Sequence, residues 1–197
     1  MPAEESREPD ILIVVGSPKE NGNSDRLGRQ VEAALGVRGK RATYFHLGTY
    51  PVAACTDCGA CKRSGECAIF GDAWSVLEKH LISADFVFLI APVYFAGPAA
   101  HLKAMLDRCQ VFWARKYVLN EEIPPKRPVY LLELGDGGDP FGTEPLEKIC
   151  TSALNCANLR IDGRIYRFIG SEPDPARIDS IVDGALAAYE RGGAEDV

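Results

Sequence analysis

Two short stretches of the chain hold side chains suited to chemistry. The first is Val14-Val-Gly-Ser-Pro-Lys-Glu-Asn-Gly-Asn-Ser24. It leaves an unbroken apolar run, Ile11–Val15, and enters a segment with Leu27, Val31, Ala34 and Leu35 at helical spacing. A buried strand therefore ends in a loop of Gly, Ser, Asn and one Lys, and the loop ends at a helix N-terminus. Such a terminus presents N–H groups without intrahelical acceptors and the positive end of the macrodipole, which together hold an anion. Ser17, Asn23 and Ser24 add side-chain hydrogen bonds and Lys19 adds charge, a set suited to a phosphate monoester. It is not a Walker loop, because Gly22 is followed by Asn23-Ser24, and the dinucleotide pattern G-x-G-x-x-G is absent. A plain helix start capped by Asn23 or Ser24 uses the same residue types.

The second stretch is Cys55-x-x-Cys58-x-x-Cys61-x5-Cys67, inside a long segment without regular periodicity at residues 48–70. Loops of that length in a compact domain are usually functional or disordered. Thiolates this close in sequence suit an iron–sulfur cluster or zinc. Structural zinc sites usually split into two Cys pairs with a longer spacer, so stepped C-x-x-C-x-x-C favours a cubane cluster, with zinc and free redox-active thiols as alternatives. Cys109 and Cys150 fall on apolar helix stripes and read as core, and Cys156 flanks that face. The three histidines, His46, His80 and His101, have no Cys or acidic cluster around them, and no side chain is assigned as a catalytic acid or base.

The elements that must position these groups alternate. Strands are expected at Ile11–Val15, Arg41–Leu47, Asp85–Ala91, Pro128–Leu134 and Arg160–Ile169, the last interrupted by Gly163. Between them run helical stripes: Trp74/Leu77/Leu81, Leu102/Met105/Leu106/Cys109/Trp113, and Leu146/Ile149/Cys150/Ala153/Leu154. A last helix follows Asp174 as N-cap and Pro175. Three apolar strands flanked by two more polar ones imply an α/β fold, a flavodoxin-like three-layer doubly wound sandwich. Its five-stranded parallel sheet is expected in the order 2-1-3-4-5. Ligands of such sheets lie beyond the carboxyl ends of the first and third strands. The loops there are Gly16–Ser24, Pro92–Pro98 and Gly135–Gly142. Pro92-Val-Tyr-Phe-Ala-Gly-Pro98 offers aromatic faces and backbone amides to a flat heteroaromatic ring, and Gly135 allows close backbone approach.

Composition narrows the partners. A net charge of -6 without a basic run excludes nucleic acid and anionic membrane as natural partners. No apolar run has transmembrane length and no signal peptide precedes the first strand, so a cytoplasmic protein with reduced thiols is expected. Residues 1–9 read as a polar tail, and residues 10–191 as one domain with the cysteine-rich insertion at 48–70.

Gly-Ser-Pro-Lys-x-x-Gly-Asn-Ser, then Ala-Pro-Val-Tyr-Phe, then Leu102-Lys-x-x-x-Asp107-Arg108, resembles the NAD(P)H-dependent FMN reductase family, closest in pattern to its iron–sulfur flavoprotein branch. The resemblance implies that Ser17, Lys19, Asn23 and Ser24 hold the phosphate of FMN. It implies that Pro92, Val93, Tyr94, Phe95, Ala96 and Gly97 border the flavin ring, with Gly135 beside them. It implies that Cys55, Cys58, Cys61 and Cys67 hold one 4Fe–4S cluster near the flavin. Asp136 and Asp139 depart from the family's Thr/Gly-rich fourth loop. The implied activity is an FMN-dependent oxidoreductase drawing electrons from NAD(P)H or a ferredoxin-like donor, in a homodimer or homotetramer. A non-enzymatic flavodoxin-like electron carrier and a zinc-stapled binding module are the competing readings.

Overall fold

The computed structural model describes residues 8–169 and 173–192, so most of the expected N-terminal tail lies outside the described residues. The strands are β1 (Ile11–Val15), β2 (Ala42–His46), β3 (Phe86–Tyr94), β4 (Gly97–Pro98), β5 (Arg127–Gly135), β6 (Leu159–Arg160) and β7 (Ile165–Ile169). The helices are α1 (Asn23–Val37), α2 (Cys61–Ser64), α3 (Trp74–Ser83), α4 (Ala100–Arg108), α5 (Gln110–Tyr117), α6 (Glu144–Leu154) and α7 (Pro175–Gly192). The sheet runs β2-β1-β3-β5, with β6 and β7 following one another along the outer edge of β5. The long strands are parallel, with Ile11 beside both Ala42 and Phe86, Val87 beside Val129 and Leu131 beside Ile165. This is the expected 2-1-3-4-5 order, with two short strands added.

The continuous apolar runs follow from burial on both faces. Leu12, Val14, Val87, Leu89, Val129 and Leu131 pack against Trp74, Leu77 and Leu81 of α3, Leu102, Met105 and Leu106 of α4, and Leu146, Cys150 and Leu154 of α6. Ile11, Ile13, Val15, Phe88, Ile90 and Leu132 pack against Leu27, Val31 and Leu35 of α1 and Ile178, Ile181 and Val182 of α7. Each such side chain contributes about 1.5–3 kcal/mol relative to exposure. The N-cap expected for α7 is present, Ala176 N–H donating to Asp174 Oδ1 at 3.1 Å.

Three details differ from the sequence-based expectation. The stripe from Leu102 to Trp113 is two helices, broken at Cys109 (ψ -5°), and Trp113 is only half-buried. The edge strand splits into β6 and β7 where Asp162 and Gly163 take φ of 41° and 80°. Finally, β3 runs on through Pro92-Val93-Tyr94 and folds back as a hairpin, Tyr94 pairing with Gly97 across Phe95 and Ala96 (φ 50° and 59°). No helix among the described residues is long and apolar enough to cross a membrane.

Candidate functional site

The loop after β1 is held from beneath. Gly16 N–H donates to Ile90 O at 2.8 Å, and a Cβ at Gly16 would sit 2.9 Å from Leu102 Cδ2. Lys19 N–H donates to Ser17 Oγ (3.1 Å), and Asn21, with φ 57°, donates its N–H to Asp25 Oδ2 (2.7 Å). Asp25 Oδ1 takes the Tyr44 hydroxyl hydrogen at 2.5 Å. Burial pushes the Asp25 carboxyl up, but Tyr44 and the Asn21 N–H outweigh it and hold it below the ordinary carboxylate range. The N-cap position of α1 is Gly22, in extended conformation, and no side chain caps the helix. Neither Asn23 nor Ser24 serves as the cap, so the first-turn donors remain available to a ligand.

Gly48 fixes this loop from the β2 side. A Cβ there would lie 2.4 Å from the Pro18 carbonyl oxygen and 2.8 Å from His46 Cε1. Gly48→Ala is therefore expected to displace the loop backbone, costing about 1–3 kcal/mol of stability or of phosphate affinity. Gly184→Ala, where a Cβ would meet nothing within 4 Å among the described residues beyond its own stretch of helix, is the control. Thermal melts and FMN titration of both variants measure it, and an unchanged Gly48→Ala would refute the contact.

A cleft of about 650 Å³ opens at the carboxyl ends of the strands. Ser17, Lys19, Asn23 and Ser24 line it from the loop, Pro92, Val93 and Tyr94 from β3, and Gly135 from β5. Arg26, Gln30, Asp136 and Phe168 complete it. Phe95, Ala96 and Gly97 do not line it. Phe95 is 99% exposed at the hairpin tip, Ala96 is buried with its carbonyl accepting from Leu146 N–H (2.9 Å), and Gly97 pairs with Tyr94. Arg26 and Gln30 were open to detection as residues one turn apart on the first turns of α1. Phe168 needed the strand order.

The four cysteines Cys55, Cys58, Cys61 and Cys67 line one small cavity, together with Arg108, Gln110 and Val111. It shares no lining residue with the cleft. Left-handed Asp57, Gly59 and Gly65 turn the chain around the short helix α2. Arg108 closes the base of the loop. Its Nη1 donates to Ala53 O (3.1 Å) and Asp72 Oδ2 (2.7 Å), its Nη2 donates to Ile69 O (3.3 Å), and its buried Nε has no acceptor among the described residues. Asp72 also accepts the Ala53 and Trp74 N–H groups. Burial pushes the Cys61 thiol up, and Cys55, Cys67 and Cys58 push it further, so the sulfurs lie within electrostatic reach of one another. Among the described residues, no three His, Cys, Asp or Glu side chains converge tightly enough for a single metal ion. Cys109 and Cys150 are core residues, burial pushing the Cys150 thiol up to about 12.

Glu133 was not foreseen. It sits fully buried in the apolar run of β5, two residues before Gly135, with neither oxygen hydrogen-bonded among the described residues and Arg167 Nε at 3.3 Å. Thr143, close by, directs its hydroxyl to Glu147 Oε1 at 2.9 Å. Burial, reinforced by Glu147, pushes the Glu133 carboxyl up to about 7, against Thr143 and Arg167. A carboxyl raised on folding keeps its proton after the unfolded chain has lost it. Stability therefore falls as pH rises from about 4.5 to about 7. Glu133→Gln removes that loss and is expected to stabilise the protein by on the order of 2–3 kcal/mol at pH 8 and little at pH 5. Denaturant melts at both pH values check it, and an equal effect at both would refute the assignment.

Fold and cleft together define a flavodoxin-like α/β protein with a cleft at the loop joining β1 to α1. Residues 9–132 match the family described as NADPH-dependent FMN reductase, and the chain belongs to that family. It is 34% identical over 98 residues to an iron–sulfur flavoprotein of Methanocaldococcus jannaschii, covering 50% of each chain. It is 31% identical over 116 residues to an iron–sulfur flavoprotein of Methanosarcina thermophila, covering 57% of this chain and 59% of the other. The chain thus spans about half the length of the curated relatives it matches. Among solved structures, RosB with a bound riboflavin-phosphate intermediate superposes with a TM-score of 0.69 at 12% identity, over 96% of this chain and 82% of that one. The NAD(P)H:quinone oxidoreductase of Methanothermobacter marburgensis superposes with a TM-score of 0.60 at 16% identity, over 93% and 98%. At these identities the structures speak for the fold.

Proposed function

We propose that the chain binds FMN in the 650 Å³ cleft and moves electrons through it, as an oxidoreductase of the NADPH-dependent FMN reductase type. The observation that carries this reading is the composition of one cleft. The Ser17 and Ser24 hydroxyls, the Asn23 amide and the uncapped start of α1 stand at one end, where a phosphate is satisfied. Tyr94, Val93, Gly135 and Phe168 complete it with flat and close-approach surfaces for a ring. Bound FMN supplies the redox chemistry, exchanging a hydride or single electrons. The loop would hold the phosphate, Asp25 keeps the loop in shape, and the β3 and β5 ends would border the ring.

The cysteine cavity is read as the seat of a 4Fe–4S cluster. Two observations support the fit. The four thiols line one cavity, the donor type and number that the corners of a cubane take. The buried Arg108 guanidinium on its wall, its charge paired with Asp72, keeps one N–H donor, Nε, uncommitted among the described residues beside the four thiols. The relatives named iron–sulfur flavoproteins agree with this reading. NAD(P)H or a ferredoxin-like protein would supply the electrons, and a homodimer or homotetramer is the expected assembly.

The test is an absorption spectrum of protein purified without oxygen, with iron, sulfide and zinc assayed on the same sample. Flavin bands over a broad brown shoulder, with about four irons per chain, are expected. Flavin bands without iron would overturn the cluster, and a colourless protein that does not take up FMN would overturn the flavin reading.

A further inference from the structure

Glu133 is fully buried and takes no part in holding a phosphate or a ring. Its place in the sheet gives it another use. β5 and β7 pair with Glu133 beside Arg167, and the next rung, Leu134 beside Phe168, lines the cleft together with Gly135 and Asp136. Side chains alternate between the two faces along a strand. Leu134 and Phe168 join the apolar cluster on the α7 side, so Glu133 and Arg167 point to the α6 side. The carboxyl therefore stands one rung behind the cleft wall.

The groups around it leave its charge uncancelled. Arg167 Nε lies 3.3 Å from Glu133 Oε2 and donates to Thr143 Oγ1 at 3.0 Å, while Nη2 is bonded to Glu147 Oε1. One guanidinium thus serves two carboxyls. From α6, Glu147 and Cys150 face Glu133, and Glu144 and Lys148 pair with each other at 2.8 Å. From β3 its neighbour in register is Ala91, which is apolar, and the next acid along the chain is Asp136 in the cleft wall. Ionising Glu133 adds a negative charge that Arg167, already engaged by Glu147, does not cancel. Burial brings that ionisation close to neutral pH, with the carboxyl pushed up to about 7.

Reduction of FMN by two electrons and one proton places a negative charge on the ring. Like charges roughly 10 Å apart in a protein interior shift one another's equilibria on the order of 10-fold. We propose that Glu133 couples flavin reduction to uptake of a further proton: the carboxylate takes a proton from solvent as the ring gains its charge, and the potential of bound FMN follows the state of Glu133. This rests on the FMN reading and does not involve the cysteine cavity. The electrons come from NAD(P)H in the proposed activity and from dithionite in the test. Solvent reaches the half-exposed Arg167 beside the carboxyl.

The test is a redox titration of FMN-loaded full-length protein from pH 5 to pH 9, for wild type, Glu133→Gln and Arg167→Gln. Wild type and Glu133→Gln are expected to run parallel up to about pH 6.5. Above about pH 7 the wild type should lose a further 10-fold in relative affinity for reduced FMN, or about 30 mV for two electrons. Glu133→Gln has no proton to lose there and should show no such fall. Arg167→Gln keeps the carboxyl and removes its cation, so the fall should move to higher pH. A purely structural role for Glu133 would change the melt without bending the potential. Parallel curves for wild type and Glu133→Gln across the whole range, with FMN bound by both, would overturn the proposal and leave the FMN reading standing. A fall that stays at the same pH in Arg167→Gln would also overturn it. A wild-type protein that takes up no FMN would overturn the FMN reading itself.

Discussion

On the proposed cluster reading, Cys58→Ala is expected to remove essentially all of the iron and the brown shoulder while leaving the FMN Kd unchanged within about 2-fold. Cys58 is the informative cysteine because it is exposed at the cavity rim. Cys61 and Cys67 pack against the core, and replacing them would confuse ligation with packing. Deleting an exposed thiol costs little stability, so loss of iron from a protein with an unaltered melt reports a missing ligand. The insulation of the flavin follows from the cavity and the cleft having no lining residue in common. Iron retained at the wild-type ratio would remove Cys58 from the ligand set, and FMN lost together with the iron would show the two sites to be coupled.

Arg108→Leu is expected to lower stability by roughly 3 kcal/mol or more, because it leaves the Asp72 carboxylate, 13% exposed, without its cation. Burial pushes that carboxyl up, but the Ala53 and Trp74 N–H groups and Arg108 outweigh burial and hold it below the ordinary range. In a chain of this length such a loss lowers Tm by roughly 6–12 °C. The Arg108 side chain is fully buried and reaches two acceptors on the cysteine segment, Ala53 O and Ile69 O, and a third just beyond it, Asp72 Oδ2. Its removal should therefore loosen the base of the cysteine loop and lower iron retention as well. Arg108→Lys is not expected to rescue, since an ammonium lacks the planar fork that spans those acceptors. Full rescue by lysine, or a Tm within 2 °C of wild type for Arg108→Leu, would show the clasp to be unimportant.

Much of the architecture was readable from the residues. Ile11–Val15 and the apolar part of β3 announce strands buried on both faces, and the helical stripes supply the layers that bury them. With edge strands more polar than central ones, the strand order follows from chirality and burial. The loop from Gly16 to Ser24 was also marked by its residues, and the structure places Ser17, Lys19, Asn23 and Ser24 together on one cleft wall. Punctuation misled at Pro92–Pro98. Pro and Gly suggest an open loop, but Val93 pairs with Pro98 across a turn with two left-handed residues, so Phe95, Ala96 and Gly97 belong to a hairpin tip instead of the cleft wall.

Local pattern determines which segments are strands or helices and which loops carry donors and thiols, because those properties depend on a residue and its near neighbours. Which groups meet depends on contacts far apart in sequence, and only the tertiary structure decided those. Arg108 enters the sequence reading only as part of the Leu102–Arg108 motif, and its partners Ala53, Ile69 and Asp72 are given by the fold alone. Glu133 is one acid inside a strand expected to be apolar, and only the fold shows it fully buried beside Arg167. His46 reads as an edge-strand residue until Gly48 and Thr49 turn back on its ring and leave one nitrogen facing no partner. In each case the chemistry of the side chain is set by desolvation and by partners, and neither is a property of the local sequence.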